Sequence, residues 1–227
     1  ISLGGDLILM PRFDALDFLD SVERHSVTHT HMVPTMFVRL LNLPPAKRLA
    51  ANLSSLESVV HGAAPCPPDV KRNMINWWGP IVHEYYGSTE AGLITFVTSS
   101  EWLKKKGTVG QPLPNSVVRI YGEEGQILNP GEIGDIFVNL AVGAGFTYHN
   151  DEKKRAEIER DGLITNGDRG YLDEDNFLFL CDRKADMVIS GGVNIYPAEI
   201  EAILIGLEGV SDCAVFGIPD TEYGEAL

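Results

Sequence analysis

The sequence has 227 residues, 44% of them hydrophobic and 22% charged, and its formal net charge is −14 at pH 7. Because only a short basic run at residues 104–106 stands out, this acidic balance argues against a nucleic-acid or anionic-membrane surface. No apolar run approaches the length needed to cross a bilayer, so we expect a soluble, cytoplasmic protein.

Helical and strand patterns alternate over the first 105 residues. Apolar residues at helical spacing predict an amphipathic helix over residues 11–24, and an alternating β-branched run predicts a strand over residues 27–33. A second strand, a helix opened by Pro68 and a third strand follow. This alternation is typical of an α/β layer, which we place at residues 1–105.

Short β runs separated by Gly, Asn and Pro begin at about residue 106. They cover residues 117–121, 132–140, 177–180 and 187–189. We therefore expect residues 106–182 to form a small antiparallel β-barrel that belongs with residues 1–105 in one large domain.

The last stretch, residues 183–227, reads as the beginning of a second, smaller domain. A helix is predicted to begin at Pro197, because proline is favoured at the first helical position. Four apolar residues are predicted to be buried along it: Ile200, Ile203, Leu204 and Leu207. A strand is predicted over residues 213–218. The predicted fold class is therefore α/β, with a layered α/β subdomain, a small antiparallel barrel and an incomplete α+β C-terminal domain.

The first segment that suggests chemistry is YYGSTE at residues 85–90. Gly87 allows the backbone to approach a ligand, the hydroxyl of Thr89 can hold a phosphate oxygen, and Glu90 offers the hard oxygen that Mg²⁺ prefers. The alternative is an ordinary strand end followed by a turn of small residues.

The second segment joins NGD at residues 166–168 to DRKAD at residues 182–186, across a predicted β-hairpin. The carboxylate of Asp168 can accept two ribose hydroxyls, and the guanidinium fork of Arg183 can reach the same sugar. Taken singly, these motifs are a turn and a solvated charge run.

The third segment, SGGVNIYPAEIE at residues 190–201, places Gly191 and Gly192 before the helix that begins at Pro197. Paired glycines admit a close backbone approach before this helix. Alone, the motif is more simply an ordinary glycine turn before a helix.

These three segments, in this order and spacing, resemble the signature blocks of the adenylate-forming superfamily, which contains acyl-CoA synthetases, luciferases and peptide-synthetase adenylation domains. Further blocks extend the resemblance along effectively the whole chain: HMVPTMF at residues 31–37, HGAAP at 61–65, GEIG at 131–134, GIPD at 217–220 and YGE at 223–225. Several blocks in order are far more specific than any one of them.

The resemblance implies a nucleotide site. The residues expected to enclose adenine are Gly62, Ala63, Ala64, Pro65 and Tyr86. Asp168 and Arg183 would bind ribose, Thr89 would bind the α-phosphate, and Glu90 would hold Mg²⁺.

The resemblance also implies sites for the acid and for CoA. Met36, His83 and Gly87 occupy positions that line the acyl and carboxylate end of the pocket in the family, while Gly191 and Gly192 line its pantetheine tunnel. Ala185 occupies the hinge position, commonly Asp or Lys, about which the small domain rotates in the family. This departure bears on control of the hinge and not on the reaction.

The implied reaction has two steps, in which a carboxylic acid and ATP–Mg²⁺ give an acyl-adenylate and CoA then displaces AMP. By resemblance, a phosphate-gripping loop precedes residue 1 and a catalytic lysine follows residue 227. We therefore expect this chain alone to be inactive. His83, Met36 and Phe37 suggest an apolar pocket and a hydrophobic acid. A carrier-protein thiol, another acceptor and a nucleotide-binding fragment without turnover remain alternatives, and the sequence predicts no oligomeric state.

Overall fold

A computed structural model describes residues 4–139, 146–207, 209–210, 212–221 and 223–227. The first part of the chain alternates helices and strands in the order α1 (Ala15–His25), β1 (His29–Met32), α2 (Pro34–Leu41), α3 (Pro45–Ala50), β2 (Ser58–His61), α4 (Pro68–Trp78), β3 (Val82–Ser88), β4 (Gly92–Val97) and α5 (Ser99–Lys104). Strands β1, β2 and β3 pair in parallel, and β4 pairs antiparallel with β3. This arrangement confirms the predicted α/β layer.

The second part of the chain is dominated by antiparallel strands, in the order β5 (Thr108–Pro112), β6 (Val118–Tyr121), β7 (Gly134–Val138), α6 (Glu152–Glu157), β8 (Glu159–Arg160), β9 (Leu163–Leu172) and β10 (Leu178–Arg183). Strand β5 pairs with β4 on one side and with β10 on the other, so the two parts share one ten-stranded sheet. Gly110 permits this junction, because a Cβ there would lie 2.2 Å from the carbonyl oxygen of Phe96.

The last part contains β11 (Val188–Ser190), β12 (Val193–Ile195), α7 (Pro197–Leu204), β13 (Ile218–Asp220) and β14 (Gly224–Ala226). These strands form a separate antiparallel sheet in the order β12, β11, β14, β13. The observed combination of layers confirms the predicted α/β fold class. The domain boundary between residues 182 and 183 stays a prediction.

Apolar side chains form two large cores and a small third cluster of Tyr121, Phe137 and Leu163. The core of the α/β layer includes Val22, Phe37, Met74 and Trp102, which are almost fully buried. Among the described residues, the core of the antiparallel part includes Tyr86, Ala91, Ile94, Val109, Val118, Ile120, Ile136, Val138, Ile164 and Leu178. Tyr86 comes from β3 and therefore carries the end of that strand into the second core.

The observed elements differ from the predicted ones mainly at their ends. Helix α1 begins at Ala15 rather than near residue 11, because the Asp14 carboxylate accepts hydrogen bonds from the N–H groups of Leu16 and Asp17 and caps the helix. The predicted strand over 132–140 is observed as β7, and Leu140 lies outside the described residues. Within the described residues, no helix is long and apolar enough to span a membrane.

Two predictions in the last part are wrong. Helix α7 begins at Pro197 as predicted, but Ile203 is 70% exposed and Ile200 and Leu204 are only partly buried, because only one face of the helix packs toward β10. The helix ends at Leu204, so Leu207, which is 54% exposed, lies beyond it. Residues 213–217 are not a strand, and β13 begins only at Ile218. The N–H of Val215 donates to the side chain of Glu201 instead of to a neighbouring strand.

Candidate nucleotide site

The hairpin between β3 and β4 carries the segment predicted to hold phosphates. Strand β3 ends at Ser88, and Thr89, Glu90 and Ala91 form the turn. The Ser88 hydroxyl accepts from the N–H of Ala91 at 3.0 Å and donates to the Asn166 side-chain oxygen at 3.0 Å. These bonds fix the turn from both sides and leave Thr89 exposed.

Gly87 is required by the geometry of this hairpin. The register between β3 and β4 shifts between Tyr86 and Gly87, which is the signature of a bulge. A Cβ at position 87 would lie only 2.2 Å from the carbonyl oxygen of Gly92. A larger residue would therefore push the two strands apart where the turn of Thr89, Glu90 and Ala91 begins.

The predicted ribose residues meet Tyr86 in a small polar cluster. Asp168 on β9 and Arg183 on β10 are direct cross-strand partners, and the Arg183 Nε lies 3.6 Å from the Asp168 Oδ1. The Tyr86 hydroxyl donates to the Asp168 Oδ2 at 2.6 Å. Three further strands separate β3 from β9 in the sheet order, so this contact shows that the sheet curls back on itself.

Electrostatics define the hydrogen-bonding roles in this cluster. Burial raises the pKa of Tyr86, and the negative charge of Asp168 raises it further, so the phenol stays protonated and donates. Burial also raises the pKa of Asp168, whereas the Tyr86 hydrogen bond and the charge of Arg183 oppose that shift. The arginine side chain is 70% exposed and is therefore accessible to a ligand.

The segment predicted to lie beside adenine follows β2. Gly62 is buried against Tyr85, whose ring would lie 2.6 Å from a Cβ at that position. Ala63 adopts a left-handed conformation with φ of 67°, and it is exposed together with Ala64 and Pro65. Since β2 and β3 pair in parallel, this loop leaves the sheet next to β3, on which Tyr86 lies.

Glu90, the predicted Mg²⁺ ligand, is half-buried in the hairpin turn. Its Oε1 accepts a hydrogen bond from the Tyr148 hydroxyl at 3.1 Å. Among the described residues, no group of three or more His, Cys, Asp or Glu side chains is arranged to hold a metal ion. A single carboxylate nevertheless fits Mg²⁺ that arrives with a nucleotide, because such ions take few protein ligands and several phosphate and water oxygens.

The residues predicted at the acid end lie deeper in the α/β layer. Met36 on α2 packs against the first core. His83 on β3 is half-buried, and its Nδ1 accepts from the N–H of Ser99 at 3.3 Å. Burial lowers the pKa of His83, so it is a neutral side chain at pH 7.

The positions predicted for CoA and for the hinge lie in or just before the separate sheet of β11 to β14. Gly191 and Gly192 form the turn between β11 and β12, with φ of 57° and 82°, and the Gly191 N–H donates to the Tyr223 carbonyl. Ala185 is exposed in the turn that follows β10. These residues belong to the region after the site rather than to the Tyr86–Asp168 cluster.

Sequence reasoning missed a buried ionic cluster that involves β3, the strand that carries Tyr86. Lys71 on α4 and Glu84 on β3 form an ion pair of 2.6 Å, and His61 Nε2 lies 3.6 Å from the same carboxylate oxygen. A signal for it exists in the sequence. Lys71 precedes Ile75 by one turn on the apolar face of α4, and Glu84 shares the inward alternation of Tyr86 on β3.

Comparisons with known proteins agree with this geometry. A model of the AMP-binding enzyme family matches residues 1–142. The long-chain-fatty-acid–CoA ligase of Bacillus subtilis is 37% identical over 229 residues, covering 100% of this chain and 40% of the ligase. The amide bond synthetase McbA from Marinactinospora thermotolerans superimposes with a TM-score of 0.86 at 31% identity, over 96% of this chain and 44% of that one. The o-succinylbenzoate CoA synthetase of Bacillus subtilis, solved with its acyl-adenylate intermediate, gives 0.81 at 32% identity, over 94% and 43%.

The family match spans more than half of the sequence, and the fold and the cluster around Tyr86 are consistent with it. This chain belongs to the AMP-binding enzyme family. It spans about two fifths of the length of the relatives named above.

Proposed function

We propose that the protein carrying this chain is an AMP-forming acid–thiol ligase that activates a hydrophobic carboxylic acid and transfers it to CoA. In the first step, a carboxylate oxygen of the acid attacks the α-phosphorus of ATP, and the bond from that phosphorus to the bridging oxygen breaks, releasing pyrophosphate. In the second step, the CoA sulfur attacks the acyl carbon, the thiol proton is released, and AMP leaves. The cytoplasm remains the expected location.

The observation that carries this proposal is the Tyr86–Asp168–Arg183 cluster. It combines an aromatic ring for a base with a carboxylate and an exposed guanidinium for a sugar, as an adenosine group requires. We assign Asp168 and Arg183 to ribose, and Tyr86 to adenine together with the backbone from Gly62 to Pro65.

The turn next to this cluster suits the phosphates. The exposed hydroxyl of Thr89 would bind the α-phosphate, and Glu90 would hold Mg²⁺. When bound, the cation would neutralise phosphate charge and so lower the repulsion between the triphosphate and the incoming acid. The chain's own contribution is alignment, because Ser88 and Gly87 fix the turn on which both side chains lie.

The acid and CoA sites are proposed at the positions on either side. Met36, His83 and Gly87 would line the acid pocket, where a neutral His83 is compatible with a hydrophobic acid. Gly191 and Gly192 would line the path of the pantetheine thiol, and Ala185 would be the hinge between the two steps.

A second candidate uses the same adenylate but a different acceptor. The similarity to an amide bond synthetase supports transfer of the acyl group to an amine instead of CoA. The acyl-adenylate present in the succinylbenzoate relative supports the step that both candidates share. A carrier-protein thiol is a third acceptor of the same kind.

The test is product analysis with the full-length protein that carries this sequence. The protein is incubated with ATP, Mg²⁺ and fatty, aryl or alicyclic acids, and with CoA or an amine in separate reactions. Thioester formation with CoA supports the ligase, and amide without thioester supports the second candidate. Both candidates would be contradicted if no acid supported pyrophosphate exchange and if an Asp168→Asn variant bound ATP as tightly as wild type.

A further inference from the structure

A tyrosine from a distant segment contacts the proposed Mg²⁺ ligand. The Tyr148 hydroxyl donates to the Glu90 Oε1 at 3.1 Å, although 58 residues separate the two. Tyr148 lies between β7 and α6, outside every element of the nucleotide cluster. The contact therefore links the phosphate turn to a part of the chain that carries none of the other proposed ligands.

The aromatic ring of Tyr148 is itself held in place by α6. The Lys154 Nζ lies 4.5 Å from the centroid of the Tyr148 ring, and the ring of Phe146 meets it edge-on at 5.5 Å. Arg155 covers the Phe146 ring at 4.7 Å and donates from Nε to the Phe146 carbonyl at 3.3 Å. Lys154 and Arg155 of α6 thus hold the rings of Tyr148 and Phe146 in place, and Tyr148 in turn contacts Glu90.

A phenol is a suitable group to orient a metal ligand. As a neutral donor it leaves the carboxylate its full negative charge, while its hydrogen bond to Oε1 restricts rotation of the group. Carboxylates that bind metals are commonly held by such hydrogen bonds, and loss of one typically lowers metal affinity by about 10- to 100-fold.

We infer that Tyr148 is a positioning residue that orients the Glu90 carboxylate for the Mg²⁺ bound with ATP. The inference rests on the proposed function, because only there does Glu90 hold a cation. Tyr148 touches neither nucleotide nor acid in this role, and acts through Glu90 alone.

The test measures metal-dependent nucleotide binding by the full-length protein, without turnover. Calorimetric titration gives the Kd for ATP at each of a series of Mg²⁺ concentrations. From these values we obtain the Mg²⁺ concentration at which half of the metal-dependent gain in ATP affinity is reached. Tyr148→Phe is expected to raise this concentration about tenfold and to leave ATP binding in EDTA unchanged. The paramagnetic resonance spectrum of Mn²⁺ bound with ATP, a second readout, is expected to change in the same variant.

Tyr121→Phe is a matched control, because the Tyr121 hydroxyl donates to the Asp161 carboxylate at 3.0 Å in the small third cluster. It removes the same kind of hydrogen bond and is expected to leave the Mg²⁺ requirement at the wild-type value. Tyr148→Phe in a Glu90→Gln background is expected to add nothing to the effect of Glu90→Gln.

The outcomes separate the inference from the proposed function. A raised Mg²⁺ requirement in Glu90→Gln but a wild-type value in Tyr148→Phe would overturn the role of Tyr148 and leave Glu90 as the ligand. A wild-type requirement in Glu90→Gln would overturn the metal role of Glu90 itself. A lower unfolding temperature of Tyr148→Phe with unchanged metal dependence would show that the tyrosine is only structural.

Discussion

Replacing Lys71 by methionine is expected to destabilise the α/β layer, because it leaves the carboxylate of Glu84 buried without its cation. The Lys71 Nζ lies 2.6 Å from the Glu84 Oε2, and both side chains are almost completely buried. The ammonium also lies 4.9 Å from the centre of the Trp102 ring. Methionine keeps much of the apolar volume of lysine, so the substitution removes mainly the charge.

The expected loss can be worked out from the geometry. At 2.6 Å and an effective dielectric constant of ~20, the attraction is about 6 kcal/mol, and it largely offsets the desolvation of the two ions. Removing the cation alone leaves the cost of burying Glu84, so the free energy of unfolding should fall by about 3–5 kcal/mol. His61 is not expected to replace the lost cation, because burial, the largest cause that lowers the pKa of His61, remains in the variant.

Equilibrium unfolding in urea, followed by tryptophan fluorescence, measures this loss. All three tryptophans of the chain lie in or against the first core, so their emission reports the part that contains the pair. Arg72→Met provides a control on the same helix. Arg72 and Asp69 form an exposed ion pair of 3.2 Å, and its loss should change the free energy of unfolding by about 0.5 kcal/mol or less.

A double-mutant cycle decides whether the pair is the cause. Lys71→Met combined with Glu84→Gln should be about 2 kcal/mol more stable than the sum of the single losses. If the loss in the double mutant equals the sum of the two single losses to within about 0.5 kcal/mol, the reasoning is refuted.

The same variant should also depend differently on pH. In Lys71→Met, burial raises the pKa of Glu84 with no lysine to oppose it. The folded variant then keeps a proton that the unfolded chain releases above pH 4.5, so its stability should fall relative to wild type as the pH rises from there toward neutrality.

Three further substitutions test the site. Asp168→Asn removes the charge that accepts from Tyr86 and should raise the KM for ATP in pyrophosphate exchange about tenfold or more; an unchanged KM would exclude a ribose role. Gly87→Ala places a Cβ 2.2 Å from the Gly92 carbonyl oxygen and should lower the free energy of unfolding by about 1–3 kcal/mol in urea titrations, whereas wild-type stability would mean that the hairpin opens freely. Ala185→Pro stiffens the proposed hinge and should slow thioester formation while pyrophosphate exchange continues; equal loss of both rates would argue against a hinge there.

Much of the local architecture could be predicted because short-range patterns determine it. Pro68 and Pro197 begin helices as expected, since proline suits the first helical position. The NGD and DRKAD motifs were expected on one hairpin, and the register of β9 and β10 places Asp168 directly opposite Arg183. Sequence alone therefore predicted which two charges would be neighbours, although their role with ribose stays a prediction.

The long-range contacts could not be predicted from these patterns. Tyr86 meets Asp168 because the sheet curls, and curvature depends on bulges and strand twist along several strands. Tyr148 meets Glu90 from a position after β7, where the sequence has no periodic pattern of apolar residues. The same limit explains the error in α7, where an apolar pattern predicted buried residues but Ile203 faces solvent.

The curled sheet also explains how one carboxylate can serve both the fold and the proposed ligand. A carboxylate has about four acceptor positions, and the Tyr86 hydroxyl occupies one of those on Oδ2 of Asp168. Arg183 approaches Oδ1 only to 3.6 Å, longer than a hydrogen bond, so that oxygen keeps its capacity to accept. Asp168 is therefore oriented before any nucleotide binds and still has positions for two ribose hydroxyls. Removing the Tyr86 hydroxyl with Tyr86→Phe should thus weaken ATP binding less than Asp168→Asn does, because the first change loses only the orienting bond and the second weakens every bond to the sugar.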